Sequence, residues 1–284
     1  MPRHIACLSF DFDALSLPIA RGTVTPTALS RGEFGTVAAP RLLDLLGSHG
    51  IRGTWFVPGH TLETFPEICS AIHKAGHEVG HHGWRHIAPA SLDREGEEAE
   101  LVRANESIKR VTGRFARGYR SPAWDLSPHT VELLLAHGFD YDSSMMGHDY
   151  LPYFARQGDQ YPPDQPAVFG TPTRLLEMPI SWSLDDYPHF EFQIFKRGVL
   201  PGLQAADGVL GNWSEDFDYM TEILDWGILT YTFHPFVIGR GHRMKMLDRL
   251  IRHLKAKGAV FLTMEEAAAE ARSRLEARKA AAAD

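Results

Sequence analysis

The feature that most constrains this chain is a regular alternation of short β-type runs with helical stretches, from residue 5 nearly to the end. Residues 5–10, 53–57, 77–80, 115–119, 139–141, 175–180, 228–233 and 259–262 read as strands. Between them, residues 40–49, 66–74, 215–226 and 242–257 carry helical patterns. A further helix starts at a Ser91 N-cap and runs to Val111, with Gly113 past its end. Another begins at Ser127-Pro128 and stops at Gly138, and Thr263-Met-Glu-Glu266 is a capping box for a C-terminal helix. Strands joined through helices pair in parallel. Seven or eight of them in 284 residues fit a distorted, TIM-like (β/α) barrel of the α/β class better than an open sheet. No long repeat or linker interrupts the pattern, so residues 1–284 are read as a single domain. Residues 143–174, rich in Gly, Pro, Tyr and Asp, and residues 183–212 read as irregular, substrate-covering segments.

Composition removes several function classes. A net charge of −7 leaves no basic footprint for nucleic acid or an anionic membrane. No stretch approaches a transmembrane length. The N-terminus meets Asp11 and Asp13 too early for a secretory signal. Cys7 and Cys69 sit in apolar stretches and make no disulfide framework. Together these point to cytoplasmic residence. Histidine is the unusual residue: there are 15, unevenly spread.

In parallel barrels the chemistry lies at the C-terminal ends of the strands, and the polar oddities fall there. Asp11 and Asp13 follow the first strand, and His81, His82 and His86 the third. Arg120 follows the fourth, Asp140 and Asp142 accompany the fifth, and His234 follows the seventh. In Asp11-Phe-Asp13 a period of two points both carboxylates to one side of an extended chain. That is unfavourable without a cation or a shared proton, and suits one metal ligand and one general base. His82 and His86, spaced i and i+4 on a helical turn, can reach one ion together. Two imidazoles and a carboxylate suit Zn²⁺, with Fe²⁺, Co²⁺ or Mn²⁺ as other occupants. A His pair alone is more often a solvated or core-satisfied accident; beside paired aspartates the metal reading is favoured. His81 faces away and reads as structural, and His77 as an ordinary strand-entry residue. His234 is placed to act as a general acid, against an equal chance of a backbone-bonded histidine. Arg120 could orient Asp11 through charge-assisted bonds. Trp84, Trp124 and Phe34 could wall a substrate, although aromatics more often fill cores. Arg31 and Glu33 are candidates for polar substrate contacts, or equally for a loop salt bridge.

This set resembles the polysaccharide deacetylases, carbohydrate esterase family 4, over roughly residues 5–262. The family's Thr-Phe-Asp-Asp-Gly motif corresponds to Ser9-Phe-Asp11-Phe-Asp13, with one residue inserted between the acids. Its His-Ser/Thr-x-x-His motif matches His82 and His86, with Gly83 at the hydroxyl position. Arg-x-Pro matches Arg120 and Pro122, and Leu-x-His resembles Thr232-Phe-His234. The fourth motif is weak, with Asp140 and Asp142 both open. The resemblance implies Asp11 as catalytic base, Asp13, His82 and His86 as metal ligands, and the Ala123 N–H as an oxyanion donor. The spaced aspartates and the Ser30-Arg-Gly-Glu-Phe-Gly35 loop resemble an intracellular branch. That branch includes allantoinase-like and cyclic-imide-hydrolysing enzymes and a peptidoglycan-deacetylase-like protein. Its members are often homotetramers and not all depend on a metal. The expectation is a metal-dependent hydrolase of non-peptide amide C–N bonds, first of a small cyclic amide or imide. An N-acetylated sugar or peptidoglycan substrate is the alternative, and a non-catalytic ligand-binding barrel the rival of another class.

Overall fold

The first strand shows how the sequence builds two layers. Ile5 and Cys7 join Phe56, Tyr141, Leu176 and Ile228 in the interior of the curled sheet. Ala6, Leu8 and Phe10 point the other way, into the core shared with the surrounding helices. This is the period of an extended chain buried on both faces. The computed structural model describes residues 2–195 and 198–281. Its strands are β1 (Arg3–Asp11), β2 (Thr54–Val57), β3 (Glu78–His81), β4 (Gly118–Tyr119), β5 (Tyr141–Asp142), β6 (Tyr153–Gln157), β7 (Thr171–Glu177), β8 (Gln193–Phe195), β9 (Gly198–Leu200), β10 (Trp226–Phe233) and β11 (Val260–Phe261).

The main sheet runs β10-β1-β2-β3-β4-β5-β7-β6, with β11 beside the N-terminal half of β1. Its ladders are parallel except β6–β7, and β8–β9 form a separate antiparallel ribbon. The sheet curls into a half-barrel wrapped by helices, and so keeps the expected α/β barrel class. Its ends do not zip together: among the described residues β6 and β10 share no ladder. The Ile228 amide donates to the Tyr150 carbonyl at 2.9 Å, and Asp185 bridges Thr232. Among the described residues no helix is long and apolar enough to cross a membrane.

Several local expectations need correction. The segment read as a Ser30–Gly35 loop lies inside a helix, Pro26–Ser48, that begins well before the expected residue 40. Thr25 caps it, its hydroxyl accepting the Ala28 N–H, and Pro26 occupies the first turn. Pro40 lies within that helix and does not start it. Two glycines made the segment look non-helical, but at Gly32 the reason is packing. A Cβ there would come within 2.4 Å of the Ala14 carbonyl oxygen. We therefore expect Gly32→Ala to cost about 1–3 kcal/mol in denaturant unfolding. Gly47→Ala, in the same helix with open space around it, is expected to gain about 0.5–1 kcal/mol. Equal effects at the two positions would refute the close approach as the reason for Gly32.

The helix expected from Ser91 is capped by Asp93, whose carboxylate accepts the Gly96 N–H at 2.8 Å. The expected strand over residues 115–119 shrinks to Gly118–Tyr119. Residues 143–174 contain β6, which pairs antiparallel with a β7 that starts earlier than expected. The segment 183–212 contains a short helix, Asp186–Phe190, the β8–β9 ribbon and the start of the Ala206–Ile223 helix. Residues 196 and 197 of that segment lie outside the described residues.

Candidate active site

Beyond Asp11 the period-two alternation continues, so Asp13 emerges on the interior side of the sheet at its C-terminal rim. Asp13 Oδ1 lies 3.4 Å from His82 Nε2 and 3.4 Å from His86 Nε2. The imidazole centroids are 5.0 Å apart at 75°. The histidines converge, but not on a helical turn: residues 82–86 are irregular, with Gly83 and His86 at φ 66 and 59. His82 Nδ1–H donates to the Arg120 carbonyl at 2.8 Å, which orients the ring with Nε2 toward Asp13. Asp13 Oδ1 is buried with no hydrogen-bond partner. An orphaned carboxylate oxygen facing two imidazole nitrogens is a donor set that could hold a divalent cation. Burial would raise the Asp13 carboxyl, but His86 and His82 together hold it well below the ordinary range. Burial pushes His86 down to about 4, so its ring is neutral at pH 7. His81 turns outward, as expected: its Nε2 meets the Leu101 carbonyl at 3.0 Å, and its ring packs on Tyr119 and Phe139.

Asp11 is also buried, at 1% exposure, and bound to a different partner. Arg120 Nη1 donates to Asp11 Oδ1 at 2.8 Å and to the Ser9 hydroxyl at 2.8 Å. The other guanidinium nitrogens reach the Ser143 carbonyl and hydroxyl, and the Phe56 ring lies beneath, 4.3 Å away. Arg120 is fully buried, and this saturated fork fixes the orientation of Asp11. The chain then turns through Pro122 to Ala123 and Trp124, two successive non-glycine residues at φ 57 and 54. Such strain persists only where surrounding structure enforces it, and it clusters at functional turns. Trp124 stacks on Trp182 at 4.1 Å.

His234 caps the end of β10. Its Nδ1 lies 2.8 Å from Asp186 Oδ1, and its backbone N–H donates to the same carboxylate. Asp185 Oδ1 is 3.4 Å from Nδ1, and Nε2 points toward Asp13 Oδ2 at 3.8 Å. Burial alone would lower the imidazole, but Asp185 and Asp186 outweigh it and hold His234 in its protonated form. Asp185, Asp186 and His234 also have metal-type spacing, yet the bonds between Asp186 and His234 already use those atoms. Sequence reasoning missed Asp186. The available signal was the acidic pair in Trp182-Ser-Leu-Asp-Asp186, inside a segment dismissed as irregular.

Beside this centre lies a cavity of about 690 Å³, lined by residues that include Ala14, Leu17, Arg21, Arg31 and Phe236. Of the expected substrate contacts, Arg31 lines it, and it is ion-paired with the buried Glu191. Trp84 packs elsewhere, on His60 and under the Arg103 guanidinium, with its ring N–H donating to Glu63. Phe34 lies between Arg41 and Arg240, and Glu33 is exposed. The structure does not turn these three toward the cavity.

Of the two aspartates left open near β5, Asp140 is a surface partner of Arg117. Asp142 is fully buried behind Arg120 and lies against Glu177. Ser144 donates to Asp142 Oδ1, while Glu177 Oε1 accepts the Ser144 and Met145 amides. The second oxygen of each carboxyl has no further partner, so the pair calls for a shared proton. Burial pushes Asp142 up to about 6, and burial and then Asp142 push Glu177 well above its ordinary range. The folded state thus keeps protons that the unfolded chain releases above about pH 4. Stability from this pair is present at low pH and is lost as pH rises through 6. The expected slope is about 1.4 kcal/mol per pH unit for each proton retained. Glu177→Gln keeps the amide acceptor and offers an N–H to Asp142, and should flatten the slope. Parallel wild-type and variant curves in urea titrations from pH 4 to 9 would rule this out.

Comparison with known proteins agrees with the geometry. The polysaccharide deacetylase family model matches residues 29–141. A peptidoglycan deacetylase of Helicobacter pylori is 37% identical over 272 residues, spanning 91% of this chain and 92% of its own. The crystal structure of a "putative polysaccharide deacetylase from Mycobacterium smegmatis" superposes with a TM-score of 0.82 at 31% identity, over 96% of this chain and 91% of that one. PuuE allantoinase shares the fold, with a TM-score of 0.75 at 21% identity, over 94% of this chain and 89% of that one. With a relative of that identity matched along nearly its whole length, the chain belongs to the polysaccharide deacetylase family.

Proposed function

We propose that this protein is a metal-dependent hydrolase of amide C–N bonds in a small substrate, a cyclic amide or imide before an N-acetylated sugar. The observation that carries the reading is the buried convergence of Asp13, His82 and His86 on one orphaned carboxylate oxygen. A base held by Arg120 and an imidazole held by Asp186 stand on either side of it. Asp13, His82 and His86 would hold the cation, zinc suiting the set. When bound, it supplies Lewis-acid polarisation of the scissile carbonyl and acidifies water.

The chain's own residues supply the rest. Asp11, locked by Arg120, accepts the proton of the attacking water. The strained turn presents the Ala123 N–H toward the developing oxyanion. His234, kept protonated by Asp185 and Asp186, donates to the departing nitrogen. Asp11, Asp13 and His82 are each about 1% exposed, and the adjoining cavity has the size of a small ligand. A cavity of that size accommodates a compact ring. The 37% identity to a peptidoglycan deacetylase supports the second reading, a deacetylase of N-acetyl sugars or peptidoglycan.

A panel of phthalimide, succinimide, allantoin and chitin oligomers separates the two. Turnover of a ring substrate is expected. Acetate release from the oligomer with no imide turnover would reverse the order. An assembly of several copies, a tetramer by the family pattern, and a cytoplasmic setting belong to this same proposal.

A further inference from the structure

We propose that the cavity beside the centre is a subsite for a negatively charged group of the substrate, recognised by Arg21 and Arg31. This rests on the hydrolase reading above and narrows its substrate class. The cavity begins at Ala14, one residue past Asp13, and at Phe236, two past His234. Leu17, Pro18, Ala28 and Phe236 give it apolar walls. Among the described residues, the ionisable side chains lining it are the two arginines, and no carboxylate does.

Both arginines are tied to the reaction centre. Arg21 Nη1 donates to the Tyr187 hydroxyl at 2.6 Å, and the Tyr187 ring lies 5.2 Å from that of His234. Arg31 lies 5.8 Å over Phe236 and pairs with Glu191. Besides Glu191, the charged and polar groups facing Arg31 include Tyr187, Arg21 and Arg240. Guanidinium forks suit carboxylates, which they grip with paired N–H donors. A neutral substrate would cover this positive wall without engaging it. An amide or imide with a ring-sized apolar body and a carboxylate a few bonds from the scissile C–N bond would engage both features.

Two measurements on the metal-loaded full chain test this. The first compares kcat/KM within matched pairs: hydantoin-5-acetic acid against hydantoin, and N-acetylmuramic acid against N-acetylglucosamine. The second is calorimetric binding of succinate against succinamide, which needs no turnover. A charged hydrogen bond implies a preference of at least about tenfold for the acid, expressed mainly in KM. Arg21→Gln and Arg31→Gln should each bring that ratio toward one and weaken succinate to a similar degree. Succinate held only at the metal centre would bind wild type and both variants alike, and that result overturns the subsite. So does equal turnover within a pair, or no succinate binding by the wild type. Arginine-dependent succinate binding with no hydrolysis of any substrate would leave the subsite standing and count against the hydrolase.

Discussion

Replacing Asp11 with asparagine is expected to lower kcat by about 10²–10⁴-fold, the usual contribution of a positioned general base. The substitution keeps the shape of the side chain and an oxygen to accept the Arg120 N–H, now 2.8 Å away. It removes the basic oxygen and leaves a buried guanidinium without its counter-charge. Some loss of stability therefore accompanies the loss of rate, so unfolding must be measured alongside turnover. Asp11 is bonded to Arg120 and acts on the candidate ligand His82 only through its charge, so metal should still bind. The combination is diagnostic: bound metal retained, folded protein retained, chemistry lost. Full activity in the folded, metal-loaded variant would remove Asp11 from the reaction.

The second large effect concerns neighbouring histidines with opposite orientations. His82→Ala deletes one of three donors at the candidate metal centre. Its affinity loss should exceed the roughly 10–100-fold that changes outside the ligand shell cost. His81→Ala deletes a neutral imidazole that burial pushes down to about 3 and that faces the Arg94–Thr112 helix. Its effect should fall on stability, about 1–3 kcal/mol, with most of the metal retained. His81 Nδ1 also accepts the Gly83 N–H at 3.2 Å, so a modest loosening of the metal loop is expected too. Metal analysis by mass spectrometry beside thermal unfolding reads both quantities. Equal metal loss in the two variants would mean that the ligand assignment is wrong.

The contrast between these residues was legible in the sequence because a strand alternates its sides. The same alternation placed Asp11 and Asp13 together and sent Phe12 to the outer core. What sequence reading lost depended on tertiary contact. Gly32 and Gly35 looked like loop residues because their intrinsic helix preference is poor, whereas close approach to the Ala14 carbonyl requires Gly32 to be small, and Gly35 packs tightly on the Phe12 ring. β6 was hidden because its sheet partner, β7, lies across a turn-rich stretch with no βα rhythm to announce it. The His82–His86 pair was found for a partly wrong reason: a loop with left-handed residues, not a helical turn, brings the rings together. Asp186 was missed because no periodicity links it to His234, 48 residues later. The Asp186–His234 hydrogen bonds and the bridge between Asp185 and Thr232 join the two segments across that distance.

That bridge carries more than geometry. The unzipped side of the half-barrel is where the chain segment bearing Trp182, Asp185 and Asp186 is laid in, held there by few backbone bonds. Displacing this segment would withdraw the carboxylates from the imidazole and let its proton go. The seating of this one segment thus sets how acidic the proton donor is.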